Sequence, residues 1–321
     1  MTTVALTATG MQTVVESAIR APSLHNSQPW RFRGHPDGID IRLDRSRLLP
    51  VADPRAWGAR IACGAAAYNA RLALATLGRA TQTRLRPDPT DPDLLIRLTC
   101  TGNRSITPAE RALFDAIPRR YSNRAPFWPP PVPADLRAAL IDAARQEGAW
   151  LELVIGTTAV EAVAEIARAA GRVLDRDPAY RTELAGWTRT DQHTHDGVPD
   201  WAGGTHQEPH DLLPTRPFTT RVRAPGRDFE PEPLVAVLGT AADTATDHLT
   251  AGIAVQRVLL TATHTGLATS MLSQPIEVEA ARERLRIALG RYGTPQLVLR
   301  IGYGQPGFPT PRRPAAEVID P

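Results

Sequence analysis

The sequence has 321 residues, 42% of them hydrophobic, so it is long enough for two ordinary domains or one large one around an apolar core. Its 37 basic residues, all arginine, nearly balance 34 acidic residues and leave a net charge of +3, which does not indicate a nucleic-acid-binding surface. Two cysteines, Cys63 and Cys100, are too few for a disulfide framework or a paired zinc motif. There is no run of 18 apolar residues and no basic residue before Arg20, so we expect a cytoplasmic protein without a membrane span or a secretory signal.

The first third of the sequence alternates between helical and extended patterns. Alternating residues on both sides of a Pro/Gly turn indicate a hairpin, and apolar residues at helical spacing that end at Gly78 indicate a helix. The predicted elements are a helix over 13–20, strands over 30–33 and 39–43, a helix over 59–77 and a strand over 94–98.

The remainder begins with a proline cluster over 126–133, which predicts a linker or an extended surface segment. Residues 187–232 are polar, rich in Pro, Gly and His, and almost without periodicity, which is typical of a lid or a disordered insertion. Around them we predict helices over 135–146, 160–174, 251–265 and 278–289 and strands over 150–155, 233–238 and 296–301.

Two helical segments resemble each other. Residues 65–78 and 253–266 are both apolar helix patterns that end in glycine and precede a strand. Because many helices end in glycine, this similarity is weak evidence for a repeat when taken alone.

Two polar features do not predict sites. His193, His195, His206 and His210 have spacings that match no compact metal site, so no bound metal is expected. The glycine pattern over 302–307 follows a strand, but the prolines after it prevent the helix that a dinucleotide site requires.

Three other polar segments stand out: residues 21–30 (APSLHNSQPW), residues 119–124 (RRYSNR) and Arg312-Arg313. Arg120, Ser122 and Arg124 are two residues apart, so an extended chain would project all three from one face, where they could clamp a phosphate. Each segment also has an ordinary interpretation, as a connector or as a solvated arginine run.

Taken together, these segments resemble the flavin-binding signature of the nitroreductase superfamily, and more closely its Acg branch of twin-domain FMN proteins. The shared features are R-x-S-x-R followed by Phe127, the stretch P-S-x-x-N-x-Q-P-W, the helix leading into Gly266-Leu267, and a C-terminal G-Y-G…P-R-R-P. The resemblance covers nearly the whole chain except 187–232.

The resemblance implies an α+β, nitroreductase-like fold with two fused homologous halves, mostly antiparallel central sheets flanked by helices, and a lid insertion. Arg120 and Ser122 would bind the FMN phosphate, which Arg312 or Arg313 would also contact, and Arg124 would face the N1/C2 edge. The other implied contacts come from Ser23, Asn26 and Gln28 of the opposite half and from the backbone at Met271, Leu272 and Ser273, near flavin N5.

One departure from the family pattern is informative. Ordinary members are homodimers with two equivalent sites, whereas here the halves are expected to be fused as a degenerate one (1–115) and one with the FMN clamp (116–321). The first half has no R-x-S-x-R before its P-S-x-x-N-x-Q-P-W. We therefore expect one FMN per chain, in a monomer that is an internal pseudo-dimer or in a homodimer of such chains.

The implied function is that of an FMN-dependent oxidoreductase. Hydride would pass from NAD(P)H to flavin N5 and then to an electron-poor small molecule, a quinone or nitroaromatic, with the flavin as the catalytic group rather than any side chain. Two alternatives stay open: a protein that sequesters FMN under the lid with little turnover, and a specialised flavin oxidase or dehydrogenase of a biosynthetic pathway. Lid closure suits both catalysis and sequestration, so it does not decide between them.

Overall fold

The computed structural model describes residues 6–191, 193–204, 212–214, 216, 218, 233–305 and 307–320. It combines helices with antiparallel sheets and confirms the predicted α+β class. The first unit contains three helices, α1 (Ala8–Ala18), α2 (Trp57–Thr76) and α3 (Pro108–Ala116), and four strands, β1 (Trp30–His35), β2 (Gly38–Leu43), β3 (Arg79–Leu85) and β4 (Leu94–Asn103).

The second unit follows α3 and begins with the segment that contains Ser122, Arg124 and the proline cluster. Its helices are α4 (Ala134–Arg145), α5 (Thr157–Arg176), α6 (Pro178–Gly186), α7 (Ala245–His264), α8 (Gln274–Glu277) and α9 (Glu279–Leu289). Its strands are β5 (Trp150–Val154), β6 (Thr188–Arg189), β7 (Val198–Pro199), β8 (Leu234–Thr240), β9 (Ala268–Leu272) and β10 (Thr294–Gly302). The last helix of the chain, α10 (Ala315–Val318), packs against α1 and β1 of the first unit.

The two main sheets have the same topology. The first has the strand order β1-β2-β4-β3 and the second β5-β8-β10-β9, and all of their strand pairs are antiparallel. Along the chain, α2 joins β2 to β3 in the first sheet and α7 joins β8 to β9 in the second. A glycine with positive φ follows each helix, Gly78 (74°) after α2 and Gly266 (80°) after α7. The two segments that resemble each other in sequence therefore occupy equivalent positions.

Most predicted elements are present with shifted ends. The helix expected over 13–20 begins at Ala8, where the Thr7 side chain accepts a hydrogen bond from the Gly10 amide. The predicted helix over 278–289 matches α9 within one residue. Sequence analysis missed β3, α3, α6, α8, β9 and α10. Strand β3 lacked a clear signal because it lies at the sheet edge and buries neither face fully.

The close crossing of α2 and α7 joins the two units. A Cβ atom on Gly64 would lie 2.3 Å from the carbonyl oxygen of Leu249, and one on Gly252 would lie 2.1 Å from that of Ile61. The shift of 188 residues that aligns residue 65 with 253 also aligns these two glycines. Each sheet packs against its own long helix, so the glycine contact sets the distance between the two sheets.

The segment predicted as a lid begins directly after α6 ends at Gly186. Strands β6 and β7 form a short parallel pair within it, so this part has regular structure that the sequence pattern did not predict. Val198 and Phe218 are buried in a small cluster with Leu49, Ala52, Tyr180 and Leu184. Residues 192, 205–211, 215, 217 and 219–232 of the predicted lid lie outside the described residues.

Across the described part of the chain, the helices are all too short or too polar to traverse a lipid bilayer.

The helix crossing generates a stability prediction. Replacing Gly64 or Gly252 with Ala should lower the free energy of unfolding by about 2–3 kcal/mol, because the added methyl group meets backbone atoms that cannot rotate away. Gly171→Ala in α5 is the matched control, since a Cβ there meets nothing within 4 Å. This control should gain about 0.5–1 kcal/mol from helix propensity. Urea unfolding followed by circular dichroism measures both effects, and equal behaviour of the three variants would contradict the crossing geometry.

Candidate functional site

A cleft lies between the two units, with about 940 Å³ of free space that includes open solvent; it is called the cavity below. The first unit contributes the loop before β1 and the first turns of α2, through Pro22, Ser23, Leu24, His25, Trp57, Gly58, Ile61 and Ala62. The second contributes Ser122, Arg124, Val255, Leu297, Arg300 and residues 270–274. Leu213, Pro214, Arg216 and Phe218 of the predicted lid complete the wall. Described residues of the first unit, the second unit and the predicted lid thus all line the cavity.

The loop before β1 has an unusual backbone. His25, Asn26 and Gln28 have φ angles of 52°, 55° and 54°, in the left-handed region that non-glycine residues seldom occupy. Asn26 Nδ2 donates to the carbonyl oxygens of Gly197 (2.9 Å) and Pro311 (3.0 Å). These bonds connect the loop to the predicted lid and to the stretch before α10, and so hold the loop in its strained conformation.

Ser23 lines the cavity, as predicted, but Asn26 and Gln28 are not among its lining residues. Gln28 is fully buried, with its Nε2 donating to the carbonyl of His195 (2.8 Å) and its Oε1 accepting from the amide of Arg313 (2.9 Å). Asn26 and Gln28 thus hold the loop through these bonds, and their contact with a cofactor stays a prediction.

Residues 122–124 enter the site from the second unit. Ser122 forms a parallel bridge with Thr269, and the amide of Asn123 donates to the Thr269 carbonyl (2.8 Å), which brings Ser122 and Arg124 into the cavity wall. Arg124 donates to the carbonyl of Ala202 (2.6 Å) and lies 5.0 Å from the ring centroid of Phe218. Burial and the nearby Arg216 lower the pKa of Arg124 to about 10.

Arg120 lies outside the cavity wall, beside Arg312. Arg120 is 4% exposed and donates to the carbonyl of Arg20 (3.0 Å), while its Nε has no partner among the described residues. Burial lowers the pKa of Arg120 to about 10, and burial with the charges of Arg120 and Arg20 lowers that of Arg312 to about 9. Within the described residues neither Arg120 nor Arg312 forms an ion pair with a carboxylate, so this cluster has an uncompensated positive charge.

Arg313 is placed differently from its neighbour. Its guanidinium lies 3.3 Å from Asp44 Oδ2 and 3.7 Å from Glu317 Oε2, so its charge is balanced. Arg312 instead bonds to Asn26 Oδ1 (2.9 Å) and to backbone carbonyls, including that of Ile19 (2.7 Å). Of the two arginines that the sequence offered as alternatives, Arg312 is the one positioned beside Arg120.

The end of β9 supplies the predicted backbone segment. Met271, Leu272 and Ser273 all line the cavity, and Ser273 precedes α8 as its N-cap residue. The Ser273 hydroxyl accepts a hydrogen bond from Arg216 Nη2 (2.8 Å). This contact joins the β9 end to the predicted lid.

Sequence reasoning missed Arg216, Phe218 and His25 as site residues. Arg216 is buried and pairs with Glu277, whose side chain is fully buried. It also donates to the imidazole of His25, which packs edge-to-face on Phe218 at 5.8 Å between ring centroids. His25 lies inside the P-S-x-x-N-x-Q-P-W stretch at a position the pattern leaves open, and the aperiodic segment around Arg216 contains no signal that could have identified it.

The equivalent position in the first unit is packed with apolar side chains. The shift of 188 residues places Leu85 at the position of Ser273 and Tyr68 at that of Gln256. Tyr68 is buried with Ile117, Leu72, Ala116, Ile253 and Leu260, and Leu85, Leu113 and Phe114 pack against them. Helix α3 therefore contributes side chains to the position that corresponds to the cavity wall of the second unit.

Groups of three or more His, Cys, Asp or Glu that could hold a metal ion are absent from the described residues. Of the histidines considered in the sequence, His195 lies 3.5 Å from Glu317, whereas His206 and His210 fall outside the described part of the chain.

Comparison with known proteins bears on the same residues. The family model described as "Nitroreductase family" matches residues 117–303, which include Ser122, Arg124 and the β9 end. The chain belongs to the nitroreductase family. Two relatives from Mycobacterium tuberculosis H37Rv have provisional names as NAD(P)H nitroreductases: Rv3131, 33% identical over 97% of this chain and 91% of its own, and acg, 31% identical over 96% and 95%. The sequence resemblance to this family and its Acg branch is thus confirmed.

Solved structures of the family are similar at lower identity. The FMN- and NADPH-dependent nitroreductase NfnB from sphigopyxis sp. strain HMH is 20% identical, with a TM-score of 0.42 over 65% of this chain and 97% of its own. The NADPH:FMN oxidoreductase from Vibrio harveyi, complexed with NAD+, is 16% identical, with a TM-score of 0.40 over 65% and 76%.

The first turn of α2, which lines the cavity, is capped by a buried carboxylate. Asp53 is 5% exposed and accepts a hydrogen bond from the Ala59 amide (2.9 Å). Burial raises the pKa of Asp53 to about 6, although the amides of the first turn and Arg60 partly oppose the shift. Because the pKa in the folded state lies above the ordinary value, the folded protein holds this proton more tightly, and stability declines as pH rises from about 4 to about 6.

Asp53→Asn should keep an oxygen acceptor for the helix amides and remove the cost of burying a charge. We expect the difference in free energy of unfolding between the variant and the wild type to increase by about 2 kcal/mol, in favour of the variant, when the pH rises from 4 to 8. Denaturant unfolding at the two pH values measures this gain. A constant difference between variant and wild type across the range would show that Asp53 does not titrate in this way.

Proposed function

We propose that this chain is an FMN-dependent oxidoreductase that takes hydride from NAD(P)H and delivers it to an electron-poor small molecule of quinone or nitroaromatic type. The observation that carries the proposal is the cluster of Arg120 and Arg312, whose charges have no carboxylate partner in the described structure. Arg120 and Arg312 donate to the carbonyls of Arg20 and Ile19, just before the cavity-lining Pro22. Buried arginines without a carboxylate partner fit a ligand that brings its own negative charge. The NAD(P)H nitroreductase names of the relatives support the same reaction class.

The residues present fit FMN. Arg120 and Arg312, with Ser122, would hold the phosphate, and the unpartnered Nε of Arg120 is a donor that a phosphate oxygen could accept from. Arg124 would supply positive charge at the pyrimidine edge, where negative charge develops on reduction. The β9 end at Met271–Ser273 would line the ring. FMN, when bound, supplies hydride acceptance and donation, and the side chains bind and orient it and exclude water.

We further propose that the chain is an internal pseudo-dimer with one FMN site. The two sheets of identical strand order support a division into residues 1–115 and 116–321. The apolar packing of Tyr68 and Leu85 at the equivalent position supports the absence of a second flavin.

A second candidate function is sequestration of FMN with little turnover. Arg216 and Phe218 favour it, because these residues of the predicted lid are buried in the cavity wall and hold it through Glu277 and His25. A wall of this kind would restrict access of NAD(P)H. The two candidates differ in whether bound flavin is reduced by nicotinamide, and not in how it is held.

The charge cluster can be tested with Arg120→Met, which keeps an apolar stem of similar length and removes the cation. Loss of a charge-assisted contact to phosphate should weaken FMN binding about 10- to 100-fold. Fluorescence titration of the FMN-free protein measures the affinity. The same variant should unfold no more easily than the wild type when FMN is absent, because it removes a buried charge without a counterion.

Arg119→Met is the matched control, since Arg119 is exposed and, within the described part of the chain, donates only to the Asp115 carbonyl (3.2 Å). Its affinity for FMN should equal that of the wild type. Equal affinity of all three proteins would contradict the assignment of Arg120 to the phosphate.

A further inference from the structure

His25 occupies a fixed position in the cavity wall. Its backbone is in the left-handed region, its ring packs edge-to-face on Phe218, and it is 3% exposed. The side chain lies on the loop that the first unit contributes to the cavity, whereas Ser122 and the β9 end belong to the second. Because the ring is fixed, Nε2 and Nδ1 have separate surroundings and cannot exchange places.

The neighbour of His25 determines which nitrogen carries the proton. Arg216 Nη1 faces Nε2 of His25, and a guanidinium has donors but no acceptor. Nε2 must therefore accept, which leaves the imidazole neutral with its proton on Nδ1. Burial and the charges of Arg216 and Arg124 lower the pKa of His25 well below its ordinary value, so this form persists at neutral and mildly acidic pH.

The Nδ1–H donor is unsatisfied. It is shielded from solvent and has no hydrogen-bond partner among the described residues. A buried donor without an acceptor is unfavourable, and proteins retain one chiefly where a ligand or water completes it.

We propose that Nδ1–H of His25 donates a hydrogen bond to an oxygen of the electron acceptor, and that His25 thereby favours acceptors with a carbonyl or nitro oxygen over acceptors without one. This inference rests on the proposed function and adds a specificity-determining residue to it. Arg216 is the positioning residue, because it fixes the tautomer of His25 and is itself held by Glu277. Arg124 adds positive charge to the same wall, which favours binding of an electron-rich oxygen there.

Two substitutions separate the two ring nitrogens. In His25→Asn the side-chain amide reaches the position of Nδ1 and keeps a donor there. In His25→Gln the amide reaches the position of Nε2 and can still accept from Arg216, but the donor at Nδ1 is lost. Both variants retain one polar contact of the native imidazole, so they differ mainly in the donor under test.

The measurement is kcat/KM with two acceptors, benzoquinone and ferrocenium, at saturating NADPH. Ferrocenium has no oxygen that could accept a hydrogen bond, so it serves as the reference acceptor. Dividing kcat/KM for benzoquinone by kcat/KM for ferrocenium cancels changes in flavin loading and in reduction by NADPH. The ratio should fall about tenfold in His25→Gln and remain within about threefold of wild type in His25→Asn. His264→Gln, at the exposed end of α7, is the control and should leave the ratio unchanged.

Three results would overturn the proposal. An unchanged ratio in His25→Gln shows that the acceptor does not use this donor. Equal falls in both variants show that the ratio depends on the imidazole ring as a whole and not on the Nδ1 donor. A loss of bound FMN in His25→Gln but not in His25→Asn, measured by flavin absorbance after gel filtration, assigns the donor to the flavin instead. Failure of the wild type to oxidise NADPH with either acceptor would count against the proposed function itself and is distinguishable from all three.

Discussion

The crossing of α2 and α7 is the contact on which the site depends. Backbone approaches backbone at Gly64 and Gly252, so no side chain separates the two units there. The cavity takes Trp57, Gly58 and Ile61 from one helix and Val255 from the other. A wider crossing would separate these walls, because the helices extend rigidly from the glycine contact to the cavity.

The two units differ in the charge of the side chains at corresponding positions. In the second unit, Ser122 and Arg124 enter the cavity and Arg120 lies beside Arg312, whereas the corresponding region of the first unit is closed by Tyr68, Leu85 and α3. Burying arginines without counterions destabilises a protein that has no ligand. We interpret this loss of stability as the consequence of a site built for an anionic ligand, since the same charges become favourable once a phosphate is bound.

The sequence predicted the regular part of the molecule well and the irregular part poorly. The long helices and the inner strands have clear apolar signals, because α2, α7 and β10 are buried along most of their length and α5 buries one face. Their ends were placed within a few residues except at the start of α1 and of α7 and at the end of β4. Strand β3 was missed because its edge position leaves both faces partly exposed. Helix α3 was missed although Thr107 and Glu110 form a capping box, a signal that was available in the sequence.

The site shows the same division. Segment positions followed from the motif, which brought Ser23, Ser122, Arg124 and Ser273 to one cavity. The roles of individual side chains did not, because Asn26 and Gln28 lie in the same short motif as Ser23 but turn to hold the loop. The separation of Arg312 from Arg313 depends on Asp44, which is far away in sequence. Arg216 could not be found at all, since only the folded chain shows its contacts with His25 and Glu277.

The most direct test of the central claim is the visible absorbance spectrum of the purified protein after loading with FMN, recorded under argon before and after addition of NADH or NADPH. We expect one flavin per chain, with absorbance bands that bleach within seconds of adding the preferred nicotinamide. Protein that remains yellow after both additions would contradict the oxidoreductase function and favour sequestration. Protein that retains no FMN would contradict the assignment of the cavity as a flavin site.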